Sequence, residues 1–245
     1  MKVRLDKLLV DKGLVETRSK ALGLIMAGHV LVDGHPVTKA GSAIEDDSPI
    51  SIKAGNAFVS RGALKLEAAL DAFSLEVQGL VALDVGSSTG GFTELMLKRG
   101  ARKVYAVDVG HGQLHWRLRK DPRVICLEGI NARMISREHV PELCDMATFD
   151  VSFISLRLVV PPVLNLLKDN AHLIALIKPQ FEAGRNQVGK GGVIRDPVVH
   201  ESVITGISSF LSDLALDVDG VIPSPIKGAK GNQEYLIHAM KKALQ

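Results

Sequence analysis

A chain of 245 residues that is 46% apolar and 23% charged, with a formal net charge of +3, can bury a sizeable core, and its charge excess is too small to declare a nucleic-acid binder by itself. Its longest apolar runs, such as Leu173 to Ile177, are far too short to span a bilayer, and the N-terminus alternates charge with leucine where a secretory signal needs an unbroken apolar stretch. A cytoplasmic protein with no membrane partner is expected. Cys126 and Cys144 have neither C-x-x-C spacing nor a histidine cluster nearby, which points to core positions and to no metal or redox site.

In chain order, "RLDKLLVDKGL" places Leu5, Leu8 and Leu9 at helical spacing, and "TRSKALGLIMAG" opens a second helix on Thr17 as N-cap and closes it on Gly28. "HVLVDGHPV" sets Asp33-Gly34 between two short apolar runs, the signature of a tight hairpin. Two helices and a hairpin make a small module with too little apolar content to wall off a site, so it reads as a binding surface. The polar stretch "EDDSPISIKAGN" ends it, giving domains at 1–58 and 59–245. Over residues 1–40, seven Lys or Arg face four acids, so much of the positive excess sits in this module.

Beyond Ser60 the pattern changes to strands alternating with helices. Strands are expected at 80–85, 103–107, 124–127, 147–151, 173–178, 217–222 and 234–240, with helices such as "GGFTELMLKRG" and "DPVVHESVITGISSFLSDL" between them. Continuous apolar strands alternating with helices imply a parallel sheet covered on both faces. The last two strands are joined by a loop without a helix, so the seventh is expected to run antiparallel. The fold class is therefore α/β with a Rossmann-like sheet, preceded by a small α+β domain.

Ligands of such sheets sit beyond the carboxyl ends of the strands, where the first strand ends at Asp84-Val85-Gly86. Gly86, Gly90 and Gly91 permit a close backbone approach, but Ser87-Ser88 stands where a dinucleotide site needs its middle glycine, which disfavours NAD. The turn D-x-G-x-x-x-G-G resembles motif I of S-adenosylmethionine-dependent methyltransferases. The second strand ends on Asp108, an acid placed to hold a ribose diol. Asp150 and Lys178 each end an apolar strand at the ligand edge, where a charge is hard to explain as structure.

Both halves resemble a known family over nearly the whole chain. "RLDKLLVDKGLVETRSKALGLIMAGHVLVDG" is similar to the RNA-binding domain named after ribosomal protein S-four. "SRGALKLEAAL", "DVGSSTGGFT", "FDVSFISL", "LIKPQFE" and "GNQEYLI" resemble the FtsJ-like ribose methyltransferase domain. Together they resemble the TlyA-type rRNA 2′-O-methyltransferases, a family also labelled hemolysins. The resemblance implies a catalytic tetrad of Lys65, Asp150, Lys178 and Glu234, of which Lys65 and Glu234 could not be picked unaided. A ribose hydroxyl is a poor nucleophile until its proton is removed or polarised. The expected base is Lys178, with Lys65 and Glu234 positioning the hydroxyl, Asp150 tuning Lys178, and no metal.

The resemblance likewise implies S-adenosylmethionine as cofactor, held by Asp84, Gly86, Ser87, Gly90, Gly91 and Phe92 at the methionine end, Asp108 at the ribose and Asn131 at the adenine. Ile130 stands where the family commonly has threonine, so the adenine contacts depart from its pattern. Expected RNA contacts are Arg4, Lys7, Arg18 and Lys20 in the small module, with Arg185, Lys190, Lys227 and Lys230 in two glycine-rich loops. Ribosomal RNA, free or in a subunit, is the expected partner; the family implies cytidine ribose, and no DNA is expected. A non-catalytic RNA-binding assembly factor and a methyltransferase acting on a base or a protein are the alternatives. A membrane-lytic hemolysin would need an amphipathic or spanning apolar segment, and none stands out.

Overall fold

The computed structural model describes residues 2–26, 28–52, 58–184, 187–189 and 191–243. The chain divides into two compact units, Met1–Ala57 and Phe58–Gln245.

In the first unit, β1 (Lys2–Arg4) leads into α1 (Leu5–Asp11) and α2 (Arg18–Met26), followed by β2 (Val30–Val32), β3 (His35–Pro36), β4 (Ala43–Glu45) and β5 (Ile50–Ile52). Leu5, Leu9, Ala21, Ile25 and Val30 are fully buried together, the one-sided spacing of both helices having supplied the core. Thr17 caps α2 by accepting from Lys20 N at 3.2 Å. The β2–β3 hairpin turns on Asp33 (φ 50°) and Gly34 (φ 79°), both left-handed as a two-residue primed turn requires. Inside the polar stretch that closes the module, residues 50–52 form an antiparallel strand paired with β2, which the sequence reading did not include, so Ile50 and Ile52 complete a three-stranded sheet ordered β3-β2-β5.

The second unit contains α3 (Ala63–Ala72), β6 (Val81–Val85), α4 (Gly91–Lys98), β7 (Lys103–Asp108), α5 (Trp116–Arg119), β8 (Val124–Glu128), β9 (Cys144–Phe149), α6 (Leu156–Leu164), β10 (Leu167–Ile177), α7 (Pro179–Glu182), α8 (Pro197–Asp213), β11 (Leu216–Pro223) and β12 (Tyr235–Lys241). Its seven strands are ordered β11-β12-β10-β9-β6-β7-β8. β12 is antiparallel to both neighbours, as the loop-joined last strands imply. The chain starts at β6, winds outward to β8, and returns to the other side at β9; β6 and β9 are adjacent and flank the switch point where α/β sheets bind ligands.

Alternation along β6 shows how both faces are covered. Val81, Leu83 and Val85 belong to a core shared with Val159, Val160 and Val163 of α6 and Ile207 and Leu211 of α8. Ala82 belongs to a second core with Leu66 and Leu70 of α3 and Leu95 and Met96 of α4. Asp196 caps α8 by accepting from Val198 N at 2.9 Å, with Pro197 at the first helical position where its missing N–H costs nothing. Cys144 lies in the first of these cores, and burial pushes its thiol up to about 12.

Candidate active site

Four segments end at one edge of the sheet. Asp150 follows the last residue of β9, Lys178 follows the last residue of β10 and precedes α7, Glu234 precedes β12, and Lys65 lies in the first turn of α3. Each of the first three stands just outside the strand in which the sequence reading had put it. Since β12 runs antiparallel, its beginning reaches the edge at which the parallel strands finish. That is how Glu234 joins residues delivered from the opposite direction.

The four side chains form a continuous ion-pair chain. Lys178 Nζ is 2.6 Å from Asp150 Oδ1 and donates to Ser152 Oγ at 2.9 Å. Lys65 Nζ donates to Glu234 Oε2 at 2.7 Å and stands 3.9 Å from Asp150 Oδ2. Lys65, Lys178 and Glu234 are buried, Glu234 to 2% exposure. Burying charges in this way costs several kcal/mol per ion before pairing offsets it, so such a cluster is a poor device for stability. Gly228 keeps the space: a Cβ there would overlap the Glu234 carboxylate.

The set lines a cleft of about 620 Å³. Its wall holds Gln180, whose Oε1 is the one buried side-chain polar atom without a hydrogen-bond partner among the described residues. An acceptor left so costs about 1–3 kcal/mol until a donor arrives. At the mouth stands Phe153, 90% exposed, at φ 64°, its ring 5.1 Å from that of Phe181. Ser152, Phe153 and Gln180 carry no signal of their own in the sequence beyond their place in the strand-end segments "FDVSFISL" and "LIKPQFE".

A second cleft of about 440 Å³ adjoins the first, sharing Gly86, Ser88, Asp150, Ser152 and Phe153, and is lined farther out by Asp108 and Asn131. Asp108 accepts from Ser88 N and from Gly110 N, both at 2.8 Å. An ionised carboxylate has about four acceptor positions, so room remains for a diol. Asn131 is exposed and its Oδ1 accepts from Arg133 N at 3.0 Å, capping a short turn. Glu128, at the end of β8, accepts from the backbone N–H of Gly112, Gln113 and Leu114 and from Arg119, and thereby fixes the loop after Asp108. These contacts hold its carboxyl well below the usual range, at about 2.

The residues expected at the methionine end divide by role. Gly86 has φ 85°, and a Cβ there would stand 2.7 Å from the Asp150 carbonyl oxygen. At Gly90 a Cβ would run into Leu118 and Leu114, and at Gly91 into Ser60. The glycines thus admit the protein's own neighbours, and only through that the ligand. Asp84 is fully buried, accepting from Thr93 Oγ1 at 2.6 Å and Thr148 Oγ1 at 3.1 Å. Burial pushes its carboxyl up to about 6. It ties α4 and β9 together under the loop. Phe92 is 3% exposed and packs into the core beneath α3 and α4. Ser87 is buried, its carbonyl accepting from Gly90 N at 2.7 Å.

Of the expected RNA contacts, Arg4 and Arg18 converge on Asp6, at 3.1 and 2.6 Å, and hold that buried carboxyl well below its usual range while staying more than half exposed themselves. Lys7 is exposed, and Lys20 pairs with Glu16 at 3.3 Å. Lys227 and Lys230 line the tetrad cleft, Lys230 donating to Gly191 O at 2.9 Å. Arg185 and Lys190 lie outside the described residues.

A seven-stranded sheet in this order, with a glycine turn after the first strand and an acid after the second, is the S-adenosylmethionine-dependent methyltransferase fold. A solved methyltransferase of that class from Listeria monocytogenes matches it with a TM-score of 0.55 at 19% identity, over 75% of this chain and 100% of that one. Residues 58–241 match the FtsJ-like methyltransferase model and residues 3–48 the S4 domain model. The chain belongs to the FtsJ-like methyltransferase family and carries an S4 domain. It is 43% identical to the 16S/23S rRNA (cytidine-2′-O)-methyltransferase TlyA of Mycobacterium tuberculosis, over 96% of this chain and 89% of that protein. It is 44% identical to Hemolysin A of Brachyspira hyodysenteriae, over 96% of this chain and 99% of the relative. A solved structure described as a hemolysin from Streptococcus thermophilus matches with a TM-score of 0.77 at 44% identity, covering 98% of this chain and 89% of that one. No helix among the described residues is long and apolar enough to cross a membrane.

Proposed function

We propose that this protein transfers the methyl group of S-adenosylmethionine to the 2′-hydroxyl of cytidine in ribosomal RNA. The observation that carries the reading is the buried Lys65–Glu234, Asp150–Lys178 chain at the junction of two adjoining clefts, one with the paired charges and one with Asp108. The second cleft fits the cofactor: Asp108 has acceptor capacity left for a ribose diol, and Asn131 and Ile130 border the nucleoside end. Bound there, S-adenosylmethionine supplies an electrophilic methyl group.

The remaining chemistry falls to the chain's own side chains. Lys65, held by Glu234 and facing Asp150, keeps a donor free to orient the ribose hydroxyl. Lys178, once it has released to solvent the proton it carries in the ion pair, takes the hydroxyl proton, and Asp150 then stabilises the ammonium that is restored. Lys65, Lys178 and Glu234 are buried, so little solvent competes with the hydroxyl for the base. Phe153 offers an unhoused ring face to a nucleobase at the mouth. Arg4, Lys7, Arg18 and Lys20 in the S4 unit supply phosphate contacts, joined by Lys227 and by the loop that contains Arg185 and Lys190. The rRNA substrate and its cytidine follow the Mycobacterium tuberculosis relative, a 16S/23S rRNA (cytidine-2′-O)-methyltransferase. Mass mapping of ribose methylation on rRNA from cells with and without the protein tests the reading. One or more 2′-O-methylcytidines that vanish with the gene support it; an unchanged map overturns it.

A further inference from the structure

The chain has a single tryptophan, Trp116, and it stands on the surface at 58% exposure. A ring of that size left in water is costly, and exposed aromatics of this kind concentrate at interfaces. It opens α5, directly after the loop that follows Asp108, and His115 N donates to Thr89 O at 3.2 Å, which fastens this segment to the loop lining the tetrad cleft. On the inner side Leu114 and Leu118 are buried against Gly90, so the backbone beneath the ring is fixed.

The surroundings of the ring are cationic. The Arg117 guanidinium lies 5.5 Å and the Lys120 ammonium 5.4 Å from the ring centroid, while the His115 imidazole stacks beside it at 5.8 Å. Nearby cations are already neutralised: Arg119 is bound to Glu128, and Arg123 to Asp121 at 2.8 Å. Arg117 and Lys120 have no carboxylate within ion-pair distance among the described residues. Two unneutralised cations beside an exposed ring, next to the cofactor loop, match a polymer that alternates negative charge with flat rings.

We infer that His115, Trp116, Arg117 and Lys120 form a second RNA-contact ledge on the catalytic unit, where Trp116 meets a base or sugar of the strand flanking the target nucleotide while Arg117 and Lys120 hold its phosphates. The inference rests on the RNA-methyltransferase reading and adds a surface that none of the residues assigned above includes.

Being the sole tryptophan, Trp116 reports on its own occupancy. The full chain, saturated with S-adenosylhomocysteine so that the cofactor cleft is constant, is titrated with a 15-nucleotide oligocytidylate and, separately, with inorganic polyphosphate. The ledge predicts strong quenching of Trp116 emission by the oligonucleotide and little by polyphosphate. In parallel, Trp116→Ala should weaken rRNA binding about tenfold while Trp116→Phe keeps most of it, and Arg117→Ala with Lys120→Ala should make the slope of log K against log salt shallower by about 1.4. S-adenosylhomocysteine affinity should stay unchanged in all these variants, and methylation of rRNA by the unaltered chain is scored separately, which separates a failure of the ledge from a failure of the catalytic reading. Unquenched emission with unchanged affinities overturns the ledge. Normal binding of naked rRNA by the variants, with loss confined to assembled subunits, also overturns it and assigns the surface to a ribosomal protein.

Discussion

Lys65 and Glu234, separated by 169 positions in the chain, meet at 2.7 Å inside the catalytic unit, with Glu234 only 2% exposed. A lysine buried to this degree has few alternatives to that carboxylate. Glu234→Leu should therefore destabilise the protein by about 3 kcal/mol, since it leaves the buried Lys65 ammonium with only the more distant Asp150 carboxylate, at 3.9 Å. The double variant Lys65→Met with Glu234→Leu should regain most of that loss in urea denaturation yet remain inactive. Equal stability of the single and double variants would show that the pair is not coupled.

Lys178 lies between Asp150 and Ser152, and the proposed chemistry gives it a proton to accept. Lys178→Ala should nearly abolish methyl incorporation under single-turnover conditions with little change in cofactor affinity. Lys178→Arg keeps the charge but stays protonated, so it should not rescue. Substantial activity of the arginine variant reduces Lys178 to a positioning charge.

Asp108 links the proposed cofactor cleft to its own loop through Ser88 and Gly110. Asp108→Ala should cost about 1.5–3 kcal/mol of S-adenosylhomocysteine affinity by calorimetry, tenfold or more. An unaltered affinity means that the nucleoside binds elsewhere.

The carboxyl of Asp84, raised by burial to about 6 from an ordinary 3.8, makes a pH-dependent stability contribution of known sign. Between about pH 4 and 6 the unfolded chain releases this proton while the folded one keeps it, so stability falls as pH rises through that window. The shift corresponds to about 3 kcal/mol at neutral pH. Asp84→Asn removes this dependence and retains an acceptor for a threonine hydroxyl. Its stability relative to the parent should climb between pH 4 and 7 and be flat above; a constant difference across that range contradicts the assignment.

Removing residues 1–57 should leave cofactor binding intact, since the second unit has its own two cores and all the cofactor-cleft residues. Affinity for rRNA should fall sharply and its salt slope flatten, because Arg4, Lys7, Arg18 and Lys20 go with the S4 unit. Equal rRNA affinity of the truncated and full chains removes the S4 unit from RNA anchoring.

The sequence disclosed the elements with strong periodicity and punctuation: the Asp33-Gly34 turn, the Thr17 cap, the apolar strands and the antiparallel last one. It hid β5, because Ile50 and Ile52 sit in a polar stretch too short for any period to show and earn their place only by pairing with β2. In the site, Asp150 and Lys178 were legible as charges ending apolar strands. Lys65 and Glu234 were not, for each looks like a solvated residue until the fold buries them against one another. The motif glycines were legible as necessary but not for their reason, since the groups they accommodate, such as the Asp150 carbonyl, come from distant strands.

The position of β12 has a bearing on when the enzyme comes into being. It is the last strand of the sheet in the chain yet lies inside it, between β11 and β10, and the residue just before it is Glu234. Until that segment has been synthesised and inserted, β11 has no neighbour to hold it to the sheet and Lys65 lacks the carboxylate it meets at 2.7 Å. A nascent chain lacking it carries every cofactor-loop residue and three of the four paired charges, but has no closed site. The candidate site is therefore completed by the last strand of the sheet to be made.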